Sequence, residues 1–334
     1  YYNRKSTSTS TRSLRDFHNL VVKNLLINSI SHKDDTLMDF AVGKGGDMPK
    51  WIQSELGFVY GIDISRDNIE NKKDGACARF LNYAMRNDKI PEMIFSCGDS
   101  SKNIRSGDAL IDDKYRVIND AVFGKGSQDK MKMGYNLFKN YGVGKDGFQI
   151  TSCQFALHYF FENKYTLENF ISNVIECTKL GGYFIGTSYD GKLLFDILQD
   201  YKKGDGKILR DDKGKIMWEV NKQYDRDEFN NDGSCLGYPI DVYQESINKT
   251  FREYLVNYDY FNDLMNTYGF VLVPDDEIKT MGLVSSNGLF SELYKHISQI
   301  HITDKTYNKS KIGTTLDMTN NEKEISFLNR YFIY

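Results

Sequence analysis

The segment Thr36-Leu37-Met38-Asp39-Phe40-Ala41-Val42-Gly43-Lys44-Gly45-Gly46-Asp47 constrains this chain more than any other. A short apolar run enters a glycine turn, and residues 48–56 then read as a helix with Asp47 as its N-cap. Glycines at such a turn let a ligand approach the backbone at a helix start. Two further apolar runs lead into acids: residues 58–64 carry Asp63, and residues 93–97 open into Gly98-Asp99-Ser100. Runs over 148–154 and 183–187, with helical periodicity over 167–180 ended by Gly181-Gly182, continue the alternation. Strands alternating with helices imply an α/β fold with a mostly parallel, doubly wound sheet. Acids closing successive strands describe an adenosine site at the carboxyl edge of that sheet, Asp63 on the ribose hydroxyls and Asp99 near the adenine. Asp39 is expected to hold the turn or to receive a ligand ammonium. The bland alternative, a packing turn with solvated acids, is weakened by the recurrence at three successive strand ends.

The type of adenosine ligand follows by elimination. A phosphate loop needs GxxxxGK[ST], and Gly43-Lys44-Gly45-Gly46 is followed by Asp47. A nicotinamide cofactor places its pyrophosphate on the helix start, where Asp47 would repel it. S-adenosylmethionine has no phosphate and carries an ammonium and a sulfonium, which carboxylates favour. The remaining classes narrow quickly. No apolar run reaches membrane-spanning length, and no membrane partner is expected. Five cysteines without a CxxC pair point to a reducing, cytoplasmic setting, and five histidines without ligand spacing point to no metal. A net charge of −3 excludes a bulk duplex binder but allows a local phosphate site. The absent initiator Met is read as the mark of a piece cut from a longer chain.

Residues 1–12 read as a flexible lead-in, and 13–334 as one domain. An amphipathic helix is expected from Ser13, its N-cap, to about 27, and a helical stretch from 64 to about 86. Residues 101–146 read as a polar, Gly-rich insertion. Beyond Tyr189, strands are expected around a turn at Asp211-Asp212-Lys213-Gly214, over 236–245, over 270–273 and over 331–334, with a helix over 257–268. Residues 301–323 read as a mobile loop.

These residues carry a resemblance. The segment from Met38 to Asp47 is similar to the methyltransferase motif of the mRNA cap guanine-N7 methyltransferases. Thr151-Ser152-Cys153-Gln154-Phe155-Ala156-Leu157-His158-Tyr159 with Phe160-Phe161-Glu162 resembles that family's second signature, and Phe17-His18-Asn19 with Lys23 resembles its leading helix. Gly181-Gly182-Tyr183-Phe184-Ile185-Gly186-Thr187 also matches. The likeness runs from about residue 13 to the end, and its detail is most like the methyltransferase domain of large DNA virus capping enzymes. The family has a glycine where this chain has Ala41.

The resemblance implies a class I S-adenosylmethionine-dependent methyltransferase, Rossmann-like, with a small cap-binding elaboration over about 202–256. It implies methyl transfer to guanine N7 of the 5′ cap of mRNA, with S-adenosylhomocysteine as the other product. Lys23, Ala41, Gly43, Asp63, Asp99, Ser100, Gln154 and Tyr159 would hold the cofactor. Asn19, Lys44, Lys50, Arg79, His158, Glu253 and Tyr331 would hold the cap, with Lys44, Lys50 and Arg79 on its phosphates, Glu253 on the N1/N2 edge of guanine, His158 on the O6 side and Tyr331 against the base. No side chain is assigned as acid, base or nucleophile. The N7 lone pair attacks, and His158, Tyr159 and Glu253 position the substrate. Implied partners are 5′-capped RNA, other capping domains in the same chain and an activating subunit; the implied setting is the cytoplasm, a viral factory or a virion. Two rival readings stay open: another S-adenosylmethionine-dependent methyltransferase, or a non-catalytic scaffold subunit.

Overall fold

A computed structural model describes residues 11–245, 247–303 and 309–334. The chain forms two compact units. The first comprises residues 27–154 and 165–185; the second comprises the leading segment up to Leu26, residues 155–164 and residues 186–334.

The first unit carries strands β1 (Thr36–Asp39), β2 (Phe58–Asp63), β3 (Glu92–Cys97), β4 (Phe148–Gln154) and most of β5 (Thr178–Tyr189) in the order β5-β4-β1-β2-β3. The pairs β1–β2, β1–β4 and β2–β3 are parallel, with Asp39 beside both Gly61 and Ser152, and Asp63 beside Cys97. This is the mostly parallel, Rossmann-like arrangement expected. The central strands β1, β2 and β4 are largely buried along their length, as strands of a parallel sheet covered on both faces are expected to be. Register and parallel direction put the ends of β1, β2, β3 and β4 on one edge, and the glycine turn leaves from that edge.

Local chemistry shifts several boundaries. The expected helix to residue 86 is two helices, Arg66–Glu70 and Ala76–Ala84. The chain is pinned between them at Gly75, where a Cβ would stand 2.6 Å from the Asn71 backbone. Gly181-Gly182 does not end a helix. The helix is Lys164–Cys177, and the glycines lie within β5, where a Cβ on Gly182 would clash with the Gln149 carbonyl at 2.6 Å. The helix after the glycine turn is Met48–Gln53, and Asp47 sits at its N-cap without a side-chain capping bond, because its carboxylate takes Lys50 Nζ at 2.8 Å instead. The insertion is folded: helix Asp113–Val122 packs on β3, and short helices Lys130–Met133 and Tyr135–Lys139 follow.

In the second unit, β6 (Gly206–Arg210), β7 (Ile216–Lys222), β8 (Pro239–Gln244) and β9 (Lys249–Tyr254) make a four-stranded antiparallel sheet within the span expected for the cap-binding elaboration. β11 (Asn329–Ile333) lies between β10 (Asn287–Leu289), its antiparallel partner, and β5. Residues 270–273 form no strand; Phe270 N–H caps back onto the Met265 carbonyl, and Val273 N–H reaches the Ile333 carbonyl. The expected mobile loop over 301–323 is corrected. Its described part after residue 308 holds helix Lys309–Ile312 and, from Asn320, a helix opened by a capping box in which Thr319 and Glu322 satisfy each other's backbone donors. Residues 304–308 lie outside the described residues, as does the lead-in up to residue 10.

The leading helix starts at Arg12 with Thr11, not Ser13, at its N-cap. It passes through a π-helical segment, Phe17–Val22, before resuming as Lys23–Ile30. Such π segments recur at functional sites because they widen the helix and re-aim its side chains.

Candidate functional site

The acid-rich edge of the first unit is built from the backbone outward. Asp39 Oδ1 accepts the Ala41 N–H at 3.0 Å and turns the chain out of β1. Gly43 has φ +55°, a conformation glycine adopts without strain, and its N–H donates to Asp63 Oδ2 at 2.8 Å. Asp63 Oδ1 accepts from Ser65 N at 2.9 Å and from Asn68 Nδ2 at 2.9 Å. Burial raises the Asp63 pKa, and these hydrogen bonds oppose that rise. Asp63 therefore ties the glycine turn to the segment after β2. Asn68 was not singled out from sequence; its part depends on the turn of helix that brings it back over Asp63.

Ser100 Oγ donates to the Phe40 carbonyl at 2.7 Å, so its hydroxyl braces the exit of β1. Asp99, two residues past β3, accepts both N–H and O–H of Ser101. Gln154 closes β4, nearly buried, with Nε2 on Ser152 Oγ at 3.2 Å. Asp39, Gly43, Asp63, Asp99, Ser100 and Gln154 thus share one sheet edge. A carbon added to Gly43 or Gly46 would meet nothing within 4 Å. The turn opens onto free space, rimmed by carboxylates. That fits a cationic, phosphate-free adenosine cofactor and disfavours a pyrophosphate.

The three basic residues expected on cap phosphates are not free cations. Lys44 is almost buried, with Nζ 2.8 Å from Asp74 and 3.2 Å from Asp67. Burial lowers its pKa, and the two carboxylates outweigh that and raise it. Arg79 Nη1 donates to the Lys44 carbonyl at 3.0 Å, which groups these two; Lys50 pairs with Asp47.

In the second unit the central pair is His158, in helix Leu157–Phe160, and Glu253, in β9. His158 Nε2 stands 3.6 Å from Glu253 Oε1, with the residues 4 % and 6 % exposed. Neither ring nitrogen of His158 has a hydrogen-bond partner, nor has Glu253 Oε2. Burial pushes the Glu253 carboxyl up to about 8 and the His158 imidazole down to about 3. At neutral pH both are uncharged, so their approach is not an ion pair. Tyr159 lies beside His158, ring centroids 4.2 Å apart, and is 44 % exposed.

Asn19, in the π segment, donates to the Arg15 carbonyl, and Lys23 Nζ stands 5.7 Å over the Phe155 ring. Phe155 has φ +54°, a strained conformation for a bulky side chain, held by bonds from its N–H to the Thr187 carbonyl and hydroxyl and by His18 stacked at 5.2 Å. Nothing in the local sequence marks that strain. Tyr331 is fully buried in β11 beside Phe290, with its hydroxyl taking the Ser285 N–H. Among the described residues no cluster of three or more metal-ligating side chains occurs, and no helix is long and apolar enough to cross a membrane.

Comparison with known proteins agrees with this chemistry. A family profile described as the mRNA (guanine-N(7))-methyltransferase domain matches residues 2–333. The chain is 25 % identical to a probable mRNA-capping enzyme of Acanthamoeba polyphaga mimivirus, over all of this chain and 28 % of that protein. It is 24 % identical to mRNA cap guanine-N(7) methyltransferase 1 of Arabidopsis thaliana, over 75 % of this chain and 57 % of that one. It is 25 % identical to the Saccharomyces cerevisiae mRNA cap guanine-N(7) methyltransferase, over 78 % and 51 %. The chain thus spans between about a quarter and three fifths of the length of these relatives. With the profile covering it nearly end to end over a doubly wound sheet edged by acids, this chain belongs to the mRNA (guanine-N(7))-methyltransferase family.

Proposed function

We propose that this domain methylates guanine N7 at the 5′ end of capped RNA with S-adenosylmethionine, leaving S-adenosylhomocysteine. The observation that carries the reading is the buried, unpartnered His158–Glu253 pair. Single buried polar atoms elsewhere among the described residues, such as Trp51 Nε1 and Tyr224 Oη, also lack partners, but here three of them meet on two facing side chains, the arrangement a ligand with matching donors and acceptor would satisfy. Guanine offers a matching set: N1–H and the N2 amino group donate to the Glu253 carboxylate, and neutral His158 donates a ring N–H to O6. Adenine lacks that donor pair, so the same groups discriminate against it.

When bound, S-adenosylmethionine supplies the activated methyl group. Asp63 takes the ribose hydroxyls, Asp99 and Ser100 flank the adenine, Ala41 and Gly43 present backbone, and Lys23, Gln154 and Tyr159 enclose the amino-acid end. Asn19, Lys44, Lys50 and Arg79 serve the cap ribose and phosphates, with Tyr331 behind the base. Guanine N7 carries no proton near neutral pH, so the residues have to position and desolvate rather than deprotonate. The mimivirus relative, named a probable mRNA-capping enzyme and much longer than this domain, supports a place beside further capping domains in the same chain; an activating subunit and a cytoplasmic, viral-factory or virion setting belong to the same proposal.

Incubating the domain with S-adenosylmethionine and guanylylated RNA, then analysing the digested product, tests the reading. N7-methylguanosine is expected. A methyl group on another atom overturns the substrate assignment, and failure to bind S-adenosylmethionine leaves the scaffold reading.

A further inference from the structure

The insertion within the first unit has a face that the cofactor and cap sites do not use. Residues 124–145 hold five lysines against one aspartate, in a chain whose net charge is −3. Helices Lys130–Met133 and Tyr135–Lys139 bury no residue at all. Met131 is 93 % exposed and Tyr135 64 %. Lys130 Nζ stands 5.6 Å from the Tyr135 ring and 5.9 Å from the Phe138 ring, and no carboxylate among the described residues pairs with it. Lys132 reaches only Asp129, at 3.8 Å, and its side chain is 82 % exposed. The platform is fixed in place: Lys139 Nζ bonds Glu92 at 2.8 Å, and Tyr141 Oη bonds the Gly126 carbonyl.

A lysine with no carboxylate partner, Lys130, and one only loosely paired, Lys132, beside exposed aromatic rings are the chemistry that holds single-stranded nucleic acid. The cations follow the backbone phosphates, and the rings offer stacking surfaces to any base. We propose that this face of the insertion binds the RNA body downstream of the cap. The inference rests on the capped-RNA reading above. Charge complementarity selects the occupant: an uncharged or acidic surface would leave the lysines or the aromatic rings unmatched in turn, whereas a flexible polyanion with π faces matches both.

Position adds a length requirement. Lys139 is bonded to the first residue of β3, whereas Asp99 follows the last. β3 has six residues, so the two ends lie roughly 20 Å apart. At about 3.4 Å per stacked nucleotide, RNA must extend on the order of six nucleotides beyond the transferred methyl to reach the lysines. A cap dinucleotide cannot do so.

The test compares kcat/KM for a cap dinucleotide with that for an unstructured capped RNA of about 25 nucleotides, at roughly 50 and 200 mM salt. It also measures binding of uncapped RNA of the same length by fluorescence anisotropy. The parent is expected to favour the long RNA about ten-fold or more at low salt. In the double variant Lys130→Gln/Lys132→Gln that preference should fall to near parity. The slope of log affinity against log salt should shrink by about 1.4, or about 0.7 for each phosphate no longer neutralised. Tyr135→Ala should weaken long-RNA binding roughly ten-fold while leaving the salt slope unchanged, because stacking releases no counterions. S-adenosylmethionine affinity equal to the parent's confirms that the variants are folded. A length preference that survives both substitutions, or a parent with none, overturns the inference while the cap reading stands. A parent that methylates no capped RNA overturns the cap reading, and the uncapped-RNA binding data then still decide whether this face takes RNA.

Discussion

The glycine-turn edge of the first unit and the His158–Glu253 pair of the second unit solve opposite problems. Asp63 is satisfied before any ligand arrives: three hydrogen bonds, from Gly43, Ser65 and Asn68, hold it. A ribose bound there, as proposed, would add to an arrangement already built. Glu253 and His158 have no such support; burial has stripped their water and returned no hydrogen bond. The first site is preorganised by the fold. The second is an unmet demand that the fold tolerates, the kind of local cost that functional sites carry. The contrast also separates affinity from specificity: a satisfied acid can be approached by many ribosides, whereas orphaned groups reward only the ligand that supplies the matching donors and acceptor.

Replacing Glu253 should produce the largest effect and the sharpest test of this contrast. Glu253→Gln is expected to lower methyl transfer at least about a hundred-fold, since an amide cannot accept both guanine donors. It should leave S-adenosylmethionine affinity unchanged by calorimetry. The same variant should be more stable than the parent in alkali. The folded carboxyl, near 8, lies above its ordinary 4.5, so its contribution is complete below pH 4.5 and is lost as pH rises through 8. The upper bound on that loss is about 5 kcal/mol. His158 acts in the other direction: its folded value near 3 lies below its ordinary 6.5, and stability falls as pH drops through that window. Melting curves between pH 5 and 9 that run parallel for parent and Glu253→Gln would contradict the account of an unsupported buried carboxyl.

The pH dependence of the reaction ranks next. The free enzyme holds Glu253 protonated below about 8, and guanine needs the carboxylate. kcat/KM for capped substrate should therefore climb roughly twenty-fold from pH 6.5 to 8.5, because that ratio reports the unliganded enzyme. kcat, measured with the site filled, should stay nearly flat across the same range. A kcat that rises steeply, with chemistry shown to be rate-limiting, would reveal a base that positioning by His158 and Glu253 does not explain.

Asp63→Ala should weaken cofactor binding about ten-fold or more, ten-fold being the size of a single lost charge-assisted bond. It should also lower the melting temperature, since Gly43, Ser65 and Asn68 each lose their acceptor. Unchanged affinity in an isothermal titration would remove Asp63 from the cofactor's reach. The smallest effect belongs to Asp74→Asn. Asp74 is partly exposed and holds Lys44 Nζ at 2.8 Å, an ion pair of modest worth in solvent. Freeing Lys44 for a phosphate should lower the KM for capped RNA about two- to three-fold; a KM that rises instead would mark the pair as structural.

How far could these features be read from the residues alone? The apolar runs ending in Asp39, Asp63 and the Gly98-Asp99 turn were legible because a parallel strand buried on both faces must be continuously hydrophobic, so its polar end stands out. The glycine turn was legible because Gly43 and Gly45 both adopt positive φ, which few other residues tolerate. The second signature pointed to His158 and Tyr159, and Glu253 came only from what the family resemblance implies. The helix boundaries and the segment after residue 308 were misread where a side chain's choice of partner decided the outcome. Asp47 chose Lys50 over a capping bond, and Thr319 and Glu322 made a capping box within a stretch that composition alone read as loop.

The sequence by itself determined the class of fold, the strand ends that carry the acids and the family, because each depends on short-range patterns of hydrophobicity, glycine and charge. Only the tertiary structure decided the state of each functional group. That Lys44 is held between two aspartates, that Asp63 grips Gly43 twenty residues away, and that Glu253 is driven toward neutrality beside a neutral His158 are consequences of burial and of partners distant along the chain. Desolvation is a property of the assembled interior, and no local window of sequence contains it.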